Sequence, residues 1–229
     1  MPSDRRILAS RLAATLAAAV LVLSGPTGPA LAQVKVLPGS PKFMAFPSSD
    51  SAVKLVQAWY YEKTGLKDVY CSYPGGDVAG YGRHCAIDYR KRISSGNVTF
   101  PVTAVAGGYA YRSNASSGTA TVEHDQTDPW GRKFCTRYLH LDTSRQVIAT
   151  GRKVRVSKGQ RIAWAGKTGT RSIHLHLEVR VGGCSGTRVD PYDIAAGRLD
   201  RDIAPVKVHY PGGSSFNGCG PNRLWESCS

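Results

Sequence analysis

Apolar positions change their spacing along the chain, and each change marks a different kind of segment. Leu12 to Leu23 is an apolar stretch behind Arg5, Arg6 and Arg11, and Ala30-Leu31-Ala32 offers a small-x-small cleavage site, the layout of a secretory signal. The stretch is well short of the roughly 20 residues needed to cross a bilayer, and no later segment comes close. Residues 1–32 are therefore expected to be removed, leaving no membrane span. Gln33 to Pro47 has the composition of a linker. Val53, Val56 and Tyr60, with Trp59 alongside, then fall at helical spacing; cap candidates Ser48, Ser49 and Asp50 precede them, and Gly65 is a stop. This predicts one amphipathic helix between Ser48 and Gly65.

Beyond Gly65 the pattern becomes short runs of Val, Thr, Tyr and Ile between Gly, Ser, Asn and Asp clusters, which read as strands. The runs are Val102 to Val105, Gly108 to Arg112, Thr119 to His124, Lys133 to Leu141, Lys153 to Val156, Arg161 to Ala165 and Leu175 to Val181. Turns such as Ser157-Lys158-Gly159 favour antiparallel neighbours, and no helix of a dozen residues lies between strands to make a parallel crossover. The expected fold is mainly β, an antiparallel sheet with one N-terminal helix. Expected boundaries are a signal at 1–32, linker and helix at 33–70, the main domain at 71–195, and an irregular, disulfide-tied tail at 196–229.

The composition of the 229 residues, 41% hydrophobic with Gly 25 and Pro 13, is that of a turn-rich globular chain and excludes wholesale disorder. The net charge is +14, and removal of residues 1–32 takes Asp4 and the three arginines named above, leaving +12. Nucleic acid is not an expected partner, because an exported chain seldom meets it and the cations form no recognised binding motif. Six cysteines in an exported chain predict disulfides, and none sits in a CxxC unit. Proximity alone gives Cys71 to Cys85, Cys135 to Cys184 and Cys219 to Cys228 as the expected pairing.

The candidate chemistry lies in the histidines. In His174-Leu175-His176-Leu177-Glu178-Val179 the alternation puts two imidazoles on one face of a strand and the apolar residues on the other. Such a pair suits a metal, or a metal and a proton carrier; a half-exposed strand that happens to carry two histidines is the plainer alternative. His84-Cys85-Ala86-Ile87-Asp88 adds an imidazole and a carboxylate, both of which zinc accepts, and a catalytic zinc takes three protein ligands with a fourth position open. His140, in Arg137-Tyr138-Leu139-His140-Leu141, taken by itself fits a satisfied structural histidine.

Taken together, the order HxxxD, Tyr-x-His-Leu, HLHLE resembles the lysostaphin-type, or LytM-like, zinc endopeptidases that cut peptide bonds in peptidoglycan. Further matching elements are Ala104-Val105-Ala106-Gly107-Gly108, Gly151 with Val154, Lys158-Gly159-Gln160, Gly166-Lys167-Thr168-Gly169 and Asp190-Pro191-Tyr192, so the resemblance spans about Tyr81 to Tyr192. It implies His84, Asp88 and His176 as ligands of one zinc ion, and His140 and His174 as the catalytic pair beside it. His124 and His209 fall outside the matched elements and are expected to be dispensable. The family's Ser-Thr-Gly before its HxH element is replaced here by Thr170-Arg171-Ser172-Ile173.

The resemblance implies a secreted, monomeric metalloprotease acting on stem or cross-bridge peptides, its basic surface drawn to the anionic cell wall. No paired-carboxylate arrangement suited to glycoside hydrolysis stands out. Two other readings compete. A non-catalytic relative would bind wall or activate another hydrolase, but all five site positions carry the residues the chemistry needs. The hairpin Lys153 to Ala165 also resembles lipoyl and biotinyl carriers, although their Met-Lys or Asp-Lys turn is missing.

Overall fold

The computed structural model describes residues 36–57, 60–61, 86–192, 206–207 and 222–227. These contain no helix and thirteen strands. They are β1 (Val53–Gln57), β2 (Tyr60–Tyr61), β3 (Ile87–Ile93), β4 (Gly96–Val98), β5 (Pro101–Thr103), β6 (Gly108–Tyr111), β7 (Ala120–Thr127), β8 (Lys133–Leu139), β9 (Val154–Val156), β10 (Arg161–Trp164), β11 (Leu175–Val181), β12 (Thr187–Arg188) and β13 (Val206–Lys207). The expected signal segment and His84 lie outside the described residues, as do Cys71, Cys85, Cys219, Cys228 and His209.

The main sheet has the order β1-β3-β11-β8-β7-β6-β9, with β4 added to β3 and β12 to β11. All of its pairings are antiparallel. A small second ladder, β5 with β10, is antiparallel too. The mainly β antiparallel expectation holds, because connections this short cannot carry a parallel crossover. No helix among the described residues is long and apolar enough to cross a membrane.

The helix predicted over Ser48 to Gly65 is corrected where it can be seen: Val53–Gln57 is a strand, paired through Val53↔Lys91, Lys54↔Arg90 and Leu55↔Tyr89. Tyr60–Tyr61 is a strand as well. Three apolar residues spread over eight positions fit either period, and Val and Tyr favour a pleated surface once a partner strand is present. Residues 62–65 lie outside the described part.

Alternation builds the core on one face of the main sheet. Tyr89, Leu175, Leu177, Phe134, Tyr138, Ala120 and Val122 are all fully buried there, with Phe100, Val102 and Ile162 of the second ladder region in the same cluster. Two segments read as loose in the sequence also contribute. Val36, Phe43 and Met44, within the expected linker, and Leu224 and Trp225, within the expected tail, are buried. They form a clasp: Phe43 and Met44 N–H groups both donate to the Leu224 carbonyl, at 2.8 and 2.9 Å, and Met44 bridges Trp225. Burying such side chains contributes about 1.5 to 3 kcal/mol each, enough to hold short segments without regular structure. Cys135 on β8 is bonded to Cys184, as expected, closing the turn after β11 against the sheet.

Candidate active site

The opposite face of the same strands carries the polar groups. Register sets His176 of β11 beside Asp88 of β3 on one side and Leu139 of β8 on the other. His176 Nδ1 lies 3.1 Å from Asp88 Oδ1, and His174 Nε2 lies 3.7 Å from Asp88 Oδ2. His140 follows directly after β8 and completes the group, its ring centroid 4.6 Å from that of His174 and 5.5 Å from that of His176. Asp88 and His174 are buried, while His140 and His176 are partly open.

Backbone carbonyls select which ring nitrogen of two imidazoles faces the group. His140 Nδ1–H donates to the Thr168 carbonyl and His174 Nδ1–H to that of Ser172, each at 2.8 Å. Both rings are thereby held with Nε2 as the basic nitrogen, turned away from those carbonyls. Burial lowers the pKa of His174, which Asp88 and the Ser172 carbonyl oppose and which His140 and Arg90 reinforce, so its neutral form prevails at pH 7.

His140 has a φ of +61°, a left-handed conformation that costs a non-glycine residue about 1 to 3 kcal/mol. Four hydrogen bonds impose it. Gly166 N–H donates to the His140 carbonyl at 2.9 Å, and Leu141 N–H donates to the Gly118 carbonyl at 2.9 Å. The Thr168 hydroxyl donates to the Leu141 carbonyl at 2.7 Å, and the ring contact to Thr168 is the fourth. Gly166 also accepts from His174 N–H at 3.1 Å, so one residue seats both imidazole-bearing segments. A Cβ at Gly166 would stand 2.5 Å from Asp142 N, which makes glycine obligatory.

Two residues along β11 from His176, Glu178 ends the imidazole group on this face. It is buried among Arg137, Arg180 and Arg188, with contacts of 3.4, 2.7 and 2.8 Å. Burial raises its pKa and the three guanidinium groups more than reverse this, leaving it below the ordinary carboxylate value.

The fold thus brings Asp88, His140, His174 and His176 into one constellation, while His84 lies outside the described residues. The positioning roles of Thr168, Ser172 and Gly166 were not read from the sequence. Carbonyl partners leave no trace in residue type, and only the glycine gave a sign.

Two donor sets here could hold a metal ion. One is His140, His174 and His176, whose nitrogens lie within 4.8 Å of one another. The other includes the Asp88–His176 pair. Ligands at about 2.0 to 2.2 Å around a tetrahedral ion stand roughly 3.3 Å apart, and the 3.1 Å separation of Asp88 Oδ1 and His176 Nδ1 fits that edge.

Residues 82–191 match the model of peptidase family M23. The match to this family supports a peptidase. Among solved structures it is similar to the catalytic domain of lysostaphin from Staphylococcus simulans, at 22% identity over 62% of this chain and 93% of that one, with a TM-score of 0.40. It is similar also to a mutant catalytic domain of the prophage-encoded M23 protein EnpA from Enterococcus faecalis, at 22% identity over 63% and 93% of the chains, TM-score 0.42. The deep-sea M23 metalloprotease pseudoalterin aligns at 18% identity over 66% and 76%, TM-score 0.39. No curated protein sequence matches the chain.

Proposed function

We propose that the protein is a secreted zinc endopeptidase that hydrolyses peptide bonds in the stem or cross-bridge peptides of bacterial peptidoglycan. The observation that carries this is the convergence of Asp88 and His176 at ligand spacing with two further imidazoles whose Nδ1 atoms are already engaged. Asp88 and His176 would hold the ion with His84, which the resemblance supplies as the third ligand. When bound, zinc supplies Lewis acidity toward a peptide carbonyl and makes water a usable nucleophile at neutral pH.

The chain's own residues do the rest. His174, buried and neutral, accepts a proton at Nε2, and the same atom can return it to a departing amine. His140 Nε2 is the second such position, held in place by the four hydrogen bonds on and beside its strained backbone. One of the two serves as proton carrier and the other steadies the charge that develops on the carbonyl oxygen.

Export places the enzyme beside the wall, and the +12 charge of the mature chain favours an anionic matrix at low salt more than at high salt. The test is a digest of purified sacculi by the zinc-loaded chain. New amino termini without new reducing sugars are expected; reducing ends without amino termini would overturn the peptidase reading of the substrate. Metal analysis of Asp88→Ala against His174→Ala separates the two donor sets. The aspartate variant is expected to lose zinc and the His174 variant to keep it.

A further inference from the structure

The cations of the described residues divide into two groups. On the sheet and its edges most have an acidic partner within reach: Lys91 with Asp50, Arg132 with Asp128, Lys153 with Glu123, Arg155 with Asp125 and Lys158 with Glu226. Arg90 does not. Among the described residues no carboxylate lies within ion-pair distance of it, and its Nε is buried with no hydrogen-bond partner.

Its place makes this more than a surface accident. Arg90 is two residues from Asp88 on β3 and therefore on the same face of the sheet. The β3–β11 register runs Leu177↔Ile87, His176↔Asp88, Leu175↔Tyr89, and one further step sets His174 opposite Arg90. The side chain is half-buried, and its charge is felt at His174. With Nε buried, the terminal N–H groups of the guanidinium are what an arriving substrate could meet, and a hydrogen bond to a charged group there contributes about 1.5 to 3 kcal/mol. A guanidinium takes a carboxylate through two parallel N–H groups, a geometry a neutral amide cannot match. Lys167 and Arg171, in the loop that joins Gly166 to Ser172, are exposed and likewise have no acidic partner among the described residues.

We propose that Arg90 is a specificity-determining residue that binds a carboxylate of the substrate peptide next to the scissile bond. The preferred substrate is then an acidic junction, such as a cross-link between carboxylate-bearing stem peptides, and not a neutral glycine bridge. This rests on the peptidase reading above, and two measurements keep them apart.

The probe is one cross-linked pair of stem peptides, made once with free carboxylates flanking the cross-link and once with carboxamides in their place. With the zinc-loaded whole chain, kcat/KM is expected to favour the acid form by about tenfold or more. Arg90→Gln should bring that ratio close to one, and Arg90→Lys should restore part of it. Equal rates on both peptides in the natural chain, or an unchanged ratio in Arg90→Gln, would overturn the proposal. Calorimetric binding of the same two peptides supplies the independent arm. If neither peptide is cleaved but binding favours the acid form and Arg90→Gln abolishes that preference, Arg90 stands and the peptidase reading falls. If binding shows no preference either, Arg90 falls with it.

Discussion

One buried histidine and one group of three histidines sit on or beside strands of the same sheet, and they are opposites. His124 of β7 points into the core at 2% exposure and uses both ring nitrogens: Nδ1 is 3.1 Å from the Gly107 carbonyl and Nε2 is 2.9 Å from the Thr136 hydroxyl. That hydroxyl is 3.2 Å from the Tyr138 hydroxyl, which accepts from Val105 N–H at 2.9 Å. Thr136 O–H donates to Tyr138, so both ring nitrogens of His124 and both hydroxyls have partners inside the protein. His140 and His174 each spend one nitrogen on a carbonyl and turn the other toward Asp88 and His176. Closure of the hydrogen-bond network, not burial or strand position, separates the imidazole that holds the fold from those proposed to do chemistry.

The widest gap between the two should appear on removing the donors at ligand spacing. Asp88→Ala and His176→Ala are each expected to lose most of the bound zinc and to cut wall peptidase activity by more than about 10,000-fold, beyond what proton transfer alone contributes. His124→Ala should keep its zinc. Metal analysis beside sacculus digestion checks both, and full zinc occupancy in His176→Ala would end this assignment.

His140→Ala and His174→Ala come next. Both should retain zinc while activity falls about 100- to 10,000-fold, the usual range for general acid-base groups. A variant of either with wild-type lysis would move that residue to the structural side of the comparison.

For His124 the loss should be of stability instead. His124→Ala leaves the Gly107 carbonyl and the Thr136 hydroxyl without their partner, at a cost of about 3 kcal/mol in denaturant unfolding, with activity per folded molecule preserved. The expectation that His124 is dispensable therefore applies to the chemistry and not to the core. Burial lowers its pKa to about 4, from 6.5, against the opposing pull of the Gly107 carbonyl and Asp125. The unfolded chain binds the proton first, so stability should fall as the pH drops from 6.5 toward 4, by about 3 kcal/mol in all. His124→Gln, titrated in parallel, should flatten that stretch of the curve.

The smallest effect isolates the backbone. Because His140 sits at positive φ, His140→Gly should be more stable than His140→Ala by about 1 kcal/mol, reversing the usual order of these two substitutions. Equal melting temperatures would show that the conformation relaxes once the ring is gone.

Much of this arrangement was legible in the residues. The alternation in His174 to Val179 announced both the strand and the face that carries its imidazoles, and the other six predicted runs lie on observed strands to within a few residues at their ends. β3 was harder to see, because Arg90-Lys91-Arg92 interrupts its alternation with charges on both faces. The first strand was misread since its few apolar positions fit two periods. Phe43, Met44, Leu224 and Trp225 were misplaced for another reason: glycine, serine and proline around them signalled irregular backbone, and irregular backbone can still deliver large side chains to a core. What orders His140 and His174 is main-chain geometry, which residue identity encodes only indirectly.

The register of β11 couples these levels. It is clamped between β3 and β8, so His176 keeps Asp88 on one flank while Leu175 and Leu177 fill the interior. A single-residue insertion inside β11 would invert every later side chain, sending leucines to the cleft and charges into the core. The site therefore cannot drift by small steps along this strand. Evolutionary change is confined to whole substitutions at fixed positions and to the loops around it, where insertions leave the ladder intact.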